Sequence, residues 1–259
     1  MALPKVCIIG AGCSGFTTAK RLKDYGIPFD IYEASDDIGG TWYYNNPNGM
    51  SACYQSLHID TSKWRLAFED YPVPADWPDY PHHSQLLQYF HDYVDHFGLR
   101  PFIRFNTAVT DAARLDSGGW RITLSTGEVK RYDALAVANG HHWAARIPEY
   151  PGTFAGVQIH SHQYRTPFEP VNCVGKRVLV VGMGNSAEAF RRDLDASGPV
   201  IEKLVNHSSG SFAGVVGIYQ RHSFAAEKAT ALARWDEHIA SVVDGRPSKI
   251  ATLKREARS

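Results

Sequence analysis

The stretch Val6-Cys7-Ile8-Ile9-Gly10-Ala11-Gly12-Cys13-Ser14-Gly15-Phe16 decides the fold of this 259-residue chain. Lys5–Gly10 is short, apolar and closes on glycine, which reads as a buried parallel strand. From Gly15 to Tyr25, the residues Phe16, Ala19 and Leu22 recur at helical spacing, and Gly26 marks the stop. Phe29–Glu33 reads as a second strand. Strand, tight turn, helix and strand make a βαβ unit. Its loop has the form GxGxxG, with Ala11, Cys13 and Ser14 between the glycines. In such a loop Gly10 permits the tight turn, Gly12 lets a pyrophosphate approach the backbone, and Gly15 lets helix and strand pack closely. The phosphates then sit on free N–H groups at the helix start. Glu33, 18 residues beyond Gly15, is placed to hold ribose hydroxyls.

Outward from this unit, Gly39 to Pro81 is rich in Trp, Tyr, Pro and Asn without a period, and reads as an ordered loop region over a ligand. Ser84–Phe97 predicts a helix with Ser84 as N-cap and Leu87, Phe90, Val94 and Phe97 on one face. Phe102–Thr110 predicts a strand. Trp120–Leu124 and Glu128–Tyr132 flank Ser125-Thr126-Gly127 as a hairpin, and Ala134–Ala138 reads as another buried strand. Arg177–Val181 repeats the opening pattern and runs into Gly182-Met183-Gly184-Asn185-Ser186-Ala187, a GxGxxA form of the same loop. No second strand is evident after it. Two such loops imply two dinucleotides, and hydride transfer from a nicotinamide to a flavin is the chemistry that links them.

Lys plus Arg and Asp plus Glu both number 27, so whole-chain electrostatics argue for neither nucleic acid nor an anionic membrane as partner. Residues 1–4 lead straight into the first strand with no secretory leader, and no apolar run approaches the roughly 20 residues of a membrane helix. The expectation is a cytoplasmic protein, with Cys7, Cys13, Cys53 and Cys173 as free thiols. The pairs His82-His83, His141-His142 and His160/His162 lack a carboxylate or cysteine at ligand spacing, so no metal site is expected.

Between the two loops, Phe154, Gly156, His160 and Tyr164 fit the pattern FxGxxxHxxxY. This resembles the fingerprint of flavin-containing monooxygenases and of the related Baeyer–Villiger and N-hydroxylating enzymes, and Tyr164 in last place favours the flavin-containing branch. Gly39-Gly40-Thr41-Trp42, the run Ser56 to Lys63, and Gly175-Lys176-Arg177 extend the resemblance over roughly residues 4–189. The fold expected is α/β: a parallel sheet with a Rossmann-type FAD site, a small β insertion around 102–132, an incomplete second nucleotide-binding unit and a helical C-terminal tail. The resemblance implies FAD held by Gly10 to Gly15, Glu33, Gly40, Thr41, Trp42, Thr61 and the backbone near Val109. It implies NADPH held at Gly182, Gly184, Asn185 and Ser186, and O2 as co-substrate for oxygenation of a soft nucleophile such as an amine or sulfide. The four fingerprint residues would join the two nucleotide domains. Asp60 stands where the family commonly has Asn near the flavin, which makes it the catalytic candidate.

Past Ala189 that resemblance ends. Val200–Gly210 and Gly217–His222 resemble the C-terminal end of phage-type tyrosine recombinases, in which His207 would match a late active-site histidine and Tyr219 the nucleophile. Upstream arginine, lysine and HxxR elements of that family are not evident. Leu232, Trp235, Ile239 and Val242 form a helical apolar stripe. The division expected is therefore 1–165, 166–190 and 191–259. The resemblance predicts a truncated monooxygenase with an open sheet edge and exposed apolar surface, unless the tail covers them or two chains pair. The alternative is a non-catalytic flavin- or nucleotide-binding remnant fused to a recombinase-derived tail.

Overall fold

Alternation along one short strand sets the layers. In β1 (Val6–Ile9), Val6 and Ile8 face one core while Cys7 and Ile9 face another, because successive side chains of a strand point to opposite faces. The computed structural model describes residues 3–147, 149, 151–181, 186, 190, 194 and 200–203. They fall within one unit, Met1–Val205. Gly182, Gly184, Asn185, His207, Tyr219 and the apolar stripe at 232–242 lie outside the described residues.

β1 is flanked on one side by β2 (Phe29–Tyr32), which carries β3 (Ile103–Arg104) beyond it, and on the other by β7 (Ala134–Val137). The order β3-β2-β1-β7 is parallel throughout, in keeping with the predicted Rossmann-type sheet. Helix α1 (Cys13–Asp24) covers the Val6/Ile8 face with Phe16 and Ala19, joined there by Phe29 and Ile31 of β2. Against them packs helix α3 (His83–His96), which follows the one-turn helix α2 (Lys63–Leu66), through Leu86, Tyr89, Phe90, Tyr93 and Val94. The opposite face, with Cys7 and Tyr32, is covered by an antiparallel sheet of β4 (Val109–Arg114), β5 (Trp120–Leu124) and β6 (Val129–Tyr132).

Three expectations are corrected here. The single strand over 102–110 is two strands in two sheets: Asn106, at φ +50°, turns the chain between β3 and β4, so the insertion begins at Val109. The N-cap of α3 is His82 rather than Ser84; its ring accepts from the Ser84 N–H, and the Gln85 side chain accepts from the His82 N–H at 3.0 Å. β7 is half-buried rather than buried, with Val137 65% exposed, because it lies at the end of its sheet.

The segment expected to open a second nucleotide-binding unit starts with β8 (Arg177–Val180), which pairs in parallel with β9 (Val200–Lys203). A strand thus follows the second loop, where the sequence showed none and placed the start of a helical tail. Ser186, Phe190 and Leu194 occupy helical positions between these strands. Phe190 and Leu194 pack with Tyr54, Tyr164 and Cys173 in a third core.

Two features control stability. A Cβ on Gly15 would stand 1.9 Å from the carbonyl oxygen of Gly10, a backbone atom that cannot swing aside. Gly15→Ala should cost about 3 kcal/mol or more of unfolding free energy, read by urea titration. The second feature is His83, which is buried and held through Nε2, 3.2 Å from the Gln55 carbonyl. Nε2 donates there, which leaves Nδ1 an acceptor with no partner among the described residues. Burial, reinforced by His82 and His58 and opposed by the Gln55 carbonyl, lowers its pKa from the ordinary 6.5 to about 4. Between these values the unfolded chain binds the extra proton, so the stability contributed by neutral His83 is complete above pH 6.5 and is lost as pH falls towards 4. Melting temperature should therefore drop over this window, and less steeply in His83→Gln than in the parent; equal slopes would assign the acid loss to other groups.

Candidate functional site

At the C-terminal end of β1 the three loop glycines answer to different constraints. Gly10 has φ +96°, and a Cβ on it would lie 2.5 Å from the Ala138 carbonyl oxygen. Gly10 and Gly15 are thus required by the chain itself. Gly12 is not: its φ is −72°, and a Cβ there would meet nothing nearer than Gly40 Cα at 3.7 Å. Its glycine leaves an open approach to the backbone at the start of α1. There the N–H groups of Gly12, Cys13 and Ser14 have no acceptor among the described residues, and no acidic residue occupies the first turn. Free N–H groups at the positive end of a helix dipole form a seat for an anion.

Glu33, buried just past the end of β2, accepts from the Ala11 N–H at 2.7 Å through Oε2 and from the Ser35 N–H at 2.8 Å through Oε1. The carboxylate clamps the loop to the second strand. An ionised carboxylate has about four acceptor sites, so capacity remains for hydroxyl donors. Thr107 donates its N–H to the Glu33 carbonyl at 2.8 Å, and two residues on Val109 starts β4 against the second core. That places the Val109 backbone beside the Glu33 end of the loop.

The turn Gly40–Trp42 lies over the phosphate loop. Gly39 donates its N–H to the Ala11 carbonyl at 3.3 Å, and Gly40 Cα is the atom nearest the open side of Gly12. Thr41 is exposed, its carbonyl accepting from Ser51 Oγ at 2.8 Å, while Trp42 is half-buried against the first core. Burial pushes the Cys13 thiol up to about 11, so it stays protonated near neutral pH. Asp60 and Thr61 are exposed on a separate loop, with Thr61 Oγ1 3.3 Å from Asp60 Oδ1. Their neighbour Ile59 is buried in the core that also holds Ala11 and Phe16. The loop glycines, Glu33 and Gly39–Trp42 thus come together around one opening, and the Asp60 loop is rooted in the same core. These residues fit the pyrophosphate and ribose of a dinucleotide.

Of the second loop, Ser186 is described: it is exposed and helps line a cavity of about 300 Å³ with Tyr164, Cys173, Val178, Val180 and Phe190. The fingerprint residues divide. Tyr164 is buried, its ring centroid 4.5 Å from that of Phe190 and 5.9 Å from that of Tyr54. His160 caps the short turn Ser161–Gln163, accepting from the His162 N–H at 3.1 Å. Phe154 and Gly156 are exposed and take no part in that packing. Two residues with no predicted role hold the region together. Arg165 donates to the carbonyls of His162, Tyr164 and Ser51, and Lys63 is buried with its ammonium on backbone carbonyls. Neither gave a signal in the sequence, because the partners of both are backbone carbonyls.

Residues 3–216 match the family described as FMO-like, flavin-binding monooxygenase-like. The match runs past Ala189, where the sequence resemblance was read as ending. The chain is 38% identical to flavin-containing monooxygenase 5 of Rattus norvegicus over 199 residues, covering 72% of this chain and 37% of that one. It is 36% identical to dimethylaniline monooxygenase [N-oxide-forming] 2 of Mus musculus over 218 residues, covering 79% and 40%. It thus spans about two fifths of the length of these relatives. Among solved structures, the S-allyl-L-cysteine S-oxygenase of Allium sativum superposes with a TM-score of 0.72 at 27% identity, over 83% of this chain and 54% of that one. With this match over most of its length, and with a glycine loop and a parallel sheet of its own, the chain belongs to the flavin-binding monooxygenase-like family.

Proposed function

We propose that the chain binds FAD at Gly10–Gly15 and Glu33 and provides this part of an NADPH-dependent monooxygenase acting on a soft nucleophile. The observation that carries the reading is Gly12. Sterics within the chain account for Gly10 and Gly15, whereas the bare backbone at Gly12 serves a ligand. The soft-nucleophile class, an amine or sulfide, is supported by relatives described as N-oxide-forming and as an S-oxygenase.

Bound and reduced by NADPH, FAD would supply the electrons and the O2 chemistry. The chain's residues would hold and orient it. The N–H groups of Gly12, Cys13 and Ser14 would take the pyrophosphate, and Glu33 the ribose hydroxyls, while it keeps the loop closed through Ala11. Gly40, Thr41 and Trp42 would cover the dinucleotide, with Thr61 and the Val109 backbone bounding it. NADPH would lie at the second loop, at Gly182, Gly184, Asn185 and Ser186, beside the cavity that Ser186 lines. Asp60 would act on the reacting face, where a carboxylate accepts hydrogen bonds but, when ionised, donates none.

Gly12→Val should leave the fold intact, because space exists beside Gly12, yet remove FAD. Folding is read by circular dichroism and FAD by the visible absorbance of protein refolded with the cofactor; undiminished flavin content would refute the site. Asp60→Asn should raise coupling, because an amide supplies a donor and removes a charge that repels developing negative charge. Peroxide released per NADPH consumed measures this, and an unchanged or higher ratio would remove Asp60 from the reacting face.

A further inference from the structure

Lys63 is 3% exposed, and no carboxylate lies within ion-pair range of it among the described residues. A buried unpaired ammonium is costly unless its three N–H donors are satisfied. Here they are: Nζ donates to the carbonyl of Ala75 at 2.7 Å, to that of Pro74 at 3.4 Å and to that of Trp77. It also lies 4.7 Å from the centre of the Trp64 ring, over its face. Three carbonyls converge on one cation from a loop with no helix or strand of its own. The same segment is tied at its backbone. Lys63 donates its N–H to Asp79 O at 2.7 Å, Ser62 Oγ to Asp79 Oδ1 at 2.6 Å, and the Ile59 N–H to Pro81 O at 3.1 Å. Asp60 and Thr61 lie between the anchors at Ile59 and at Ser62-Lys63, on a loop whose side chains are themselves exposed.

We propose that Lys63 is the positioning residue for Asp60 and Thr61: its ammonium replaces a bound cation, fixing loop 74–79 and through it the segment that faces the flavin. The proposal rests on the FAD reading given above. Lys63 touches no reacting atom and acts through the backbone it holds. Without the charge, the three carbonyls lose their shared donor and the 60–63 segment is free to shift, whereas the glycine loop and Glu33 stay in place. The isoalloxazine end of FAD should then loosen while the pyrophosphate end remains held.

The test compares the parent with Lys63→Met, which keeps the apolar stem, by amide hydrogen exchange without cofactor, FAD affinity, and the visible circular dichroism of bound flavin. Expected are faster exchange in 57–66 and 74–79, roughly tenfold weaker FAD binding, the equivalent of one charge-assisted hydrogen bond, and an altered flavin dichroism. Faster exchange with unchanged affinity and dichroism would make Lys63 merely structural and overturn the proposal. Unchanged exchange would overturn it as well. If the parent binds no FAD, the functional reading falls and takes this one with it; if the parent binds FAD and the variant binds it equally, this proposal alone falls. Should Lys63→Met fail to fold, Ser62→Ala decides, because it loosens the same anchor without burying a vacancy: a smaller change in the same three measurements supports the proposal, and none refutes it.

Discussion

The contact between the Gly15 backbone and the carbonyl of Gly10 governs much of what surrounds it. A 1.9 Å clearance for a notional Cβ means that the first turn of α1 lies directly on the end of β1. This closeness puts Phe16 fully into the core, with ring centroids 5.1 Å from Phe90 and 5.5 Å from Tyr93 of α3. It also leaves the loop no room to fold back over its own N–H groups. Gly12, Cys13 and Ser14 therefore present them outward. One steric fact thus makes both the hydrophobic contact that holds α1 and the polar opening above it.

The opposite face of the sheet is built on different terms. Tyr32 and Tyr132 meet hydroxyl to hydroxyl at 2.5 Å, Tyr132 donates to Asp30 at 2.6 Å, and Lys5 pairs with Asp30 at 2.7 Å. Burial first, and then Asp30, raise the Tyr132 pKa, so it remains a donor near neutral pH. The insertion β4–β6 is fixed to β2 by a polar chain that runs from the buried tyrosine pair out to the partly exposed Asp30 and Lys5. Such a chain specifies register, since sliding β6 by one residue would turn Tyr132 to the other face and break its bonds to Tyr32 and Asp30.

The opening βαβ unit was legible because each of its signals is local: a 4-residue apolar strand, a glycine loop, a helical stripe and an acid at the next strand's end. The hairpin was legible for the same reason. What escaped was set by distant partners. Ile103-Arg104 and Val109–Arg114 have similar strand character, and only pairing to β2 or to β5 separates them. His82 became the N-cap because its ring reaches both Ser84 and the Gln55 carbonyl, and no propensity scale anticipates a histidine held from 27 positions away. β9 was hidden because Val200-Ile201-Glu202-Lys203 is short and without a clear period, and only its pairing with β8 marks it as a strand. In the site, the glycines and Glu33 were visible from spacing, whereas the supporting ties of Lys63 and Arg165 run to backbone carbonyls, which carry no sequence signature.

Glu33 shows why the acid of such a loop stands at a strand end rather than near it. A carboxylate close to a pyrophosphate would repel it, and a buried one without donors would be costly. Both problems are met by the same two bonds. Accepting from Ala11 and Ser35 satisfies the oxygens and draws the negative charge to the strand side of the loop, away from the N–H groups of Gly12, Cys13 and Ser14. The anion seat and the carboxylate thus serve different N–H groups of the one loop. A ligand that bridges them must carry negative charge at one end and neutral hydrogen-bond donors at the other, which is the polarity of a nucleotide read from phosphate to ribose.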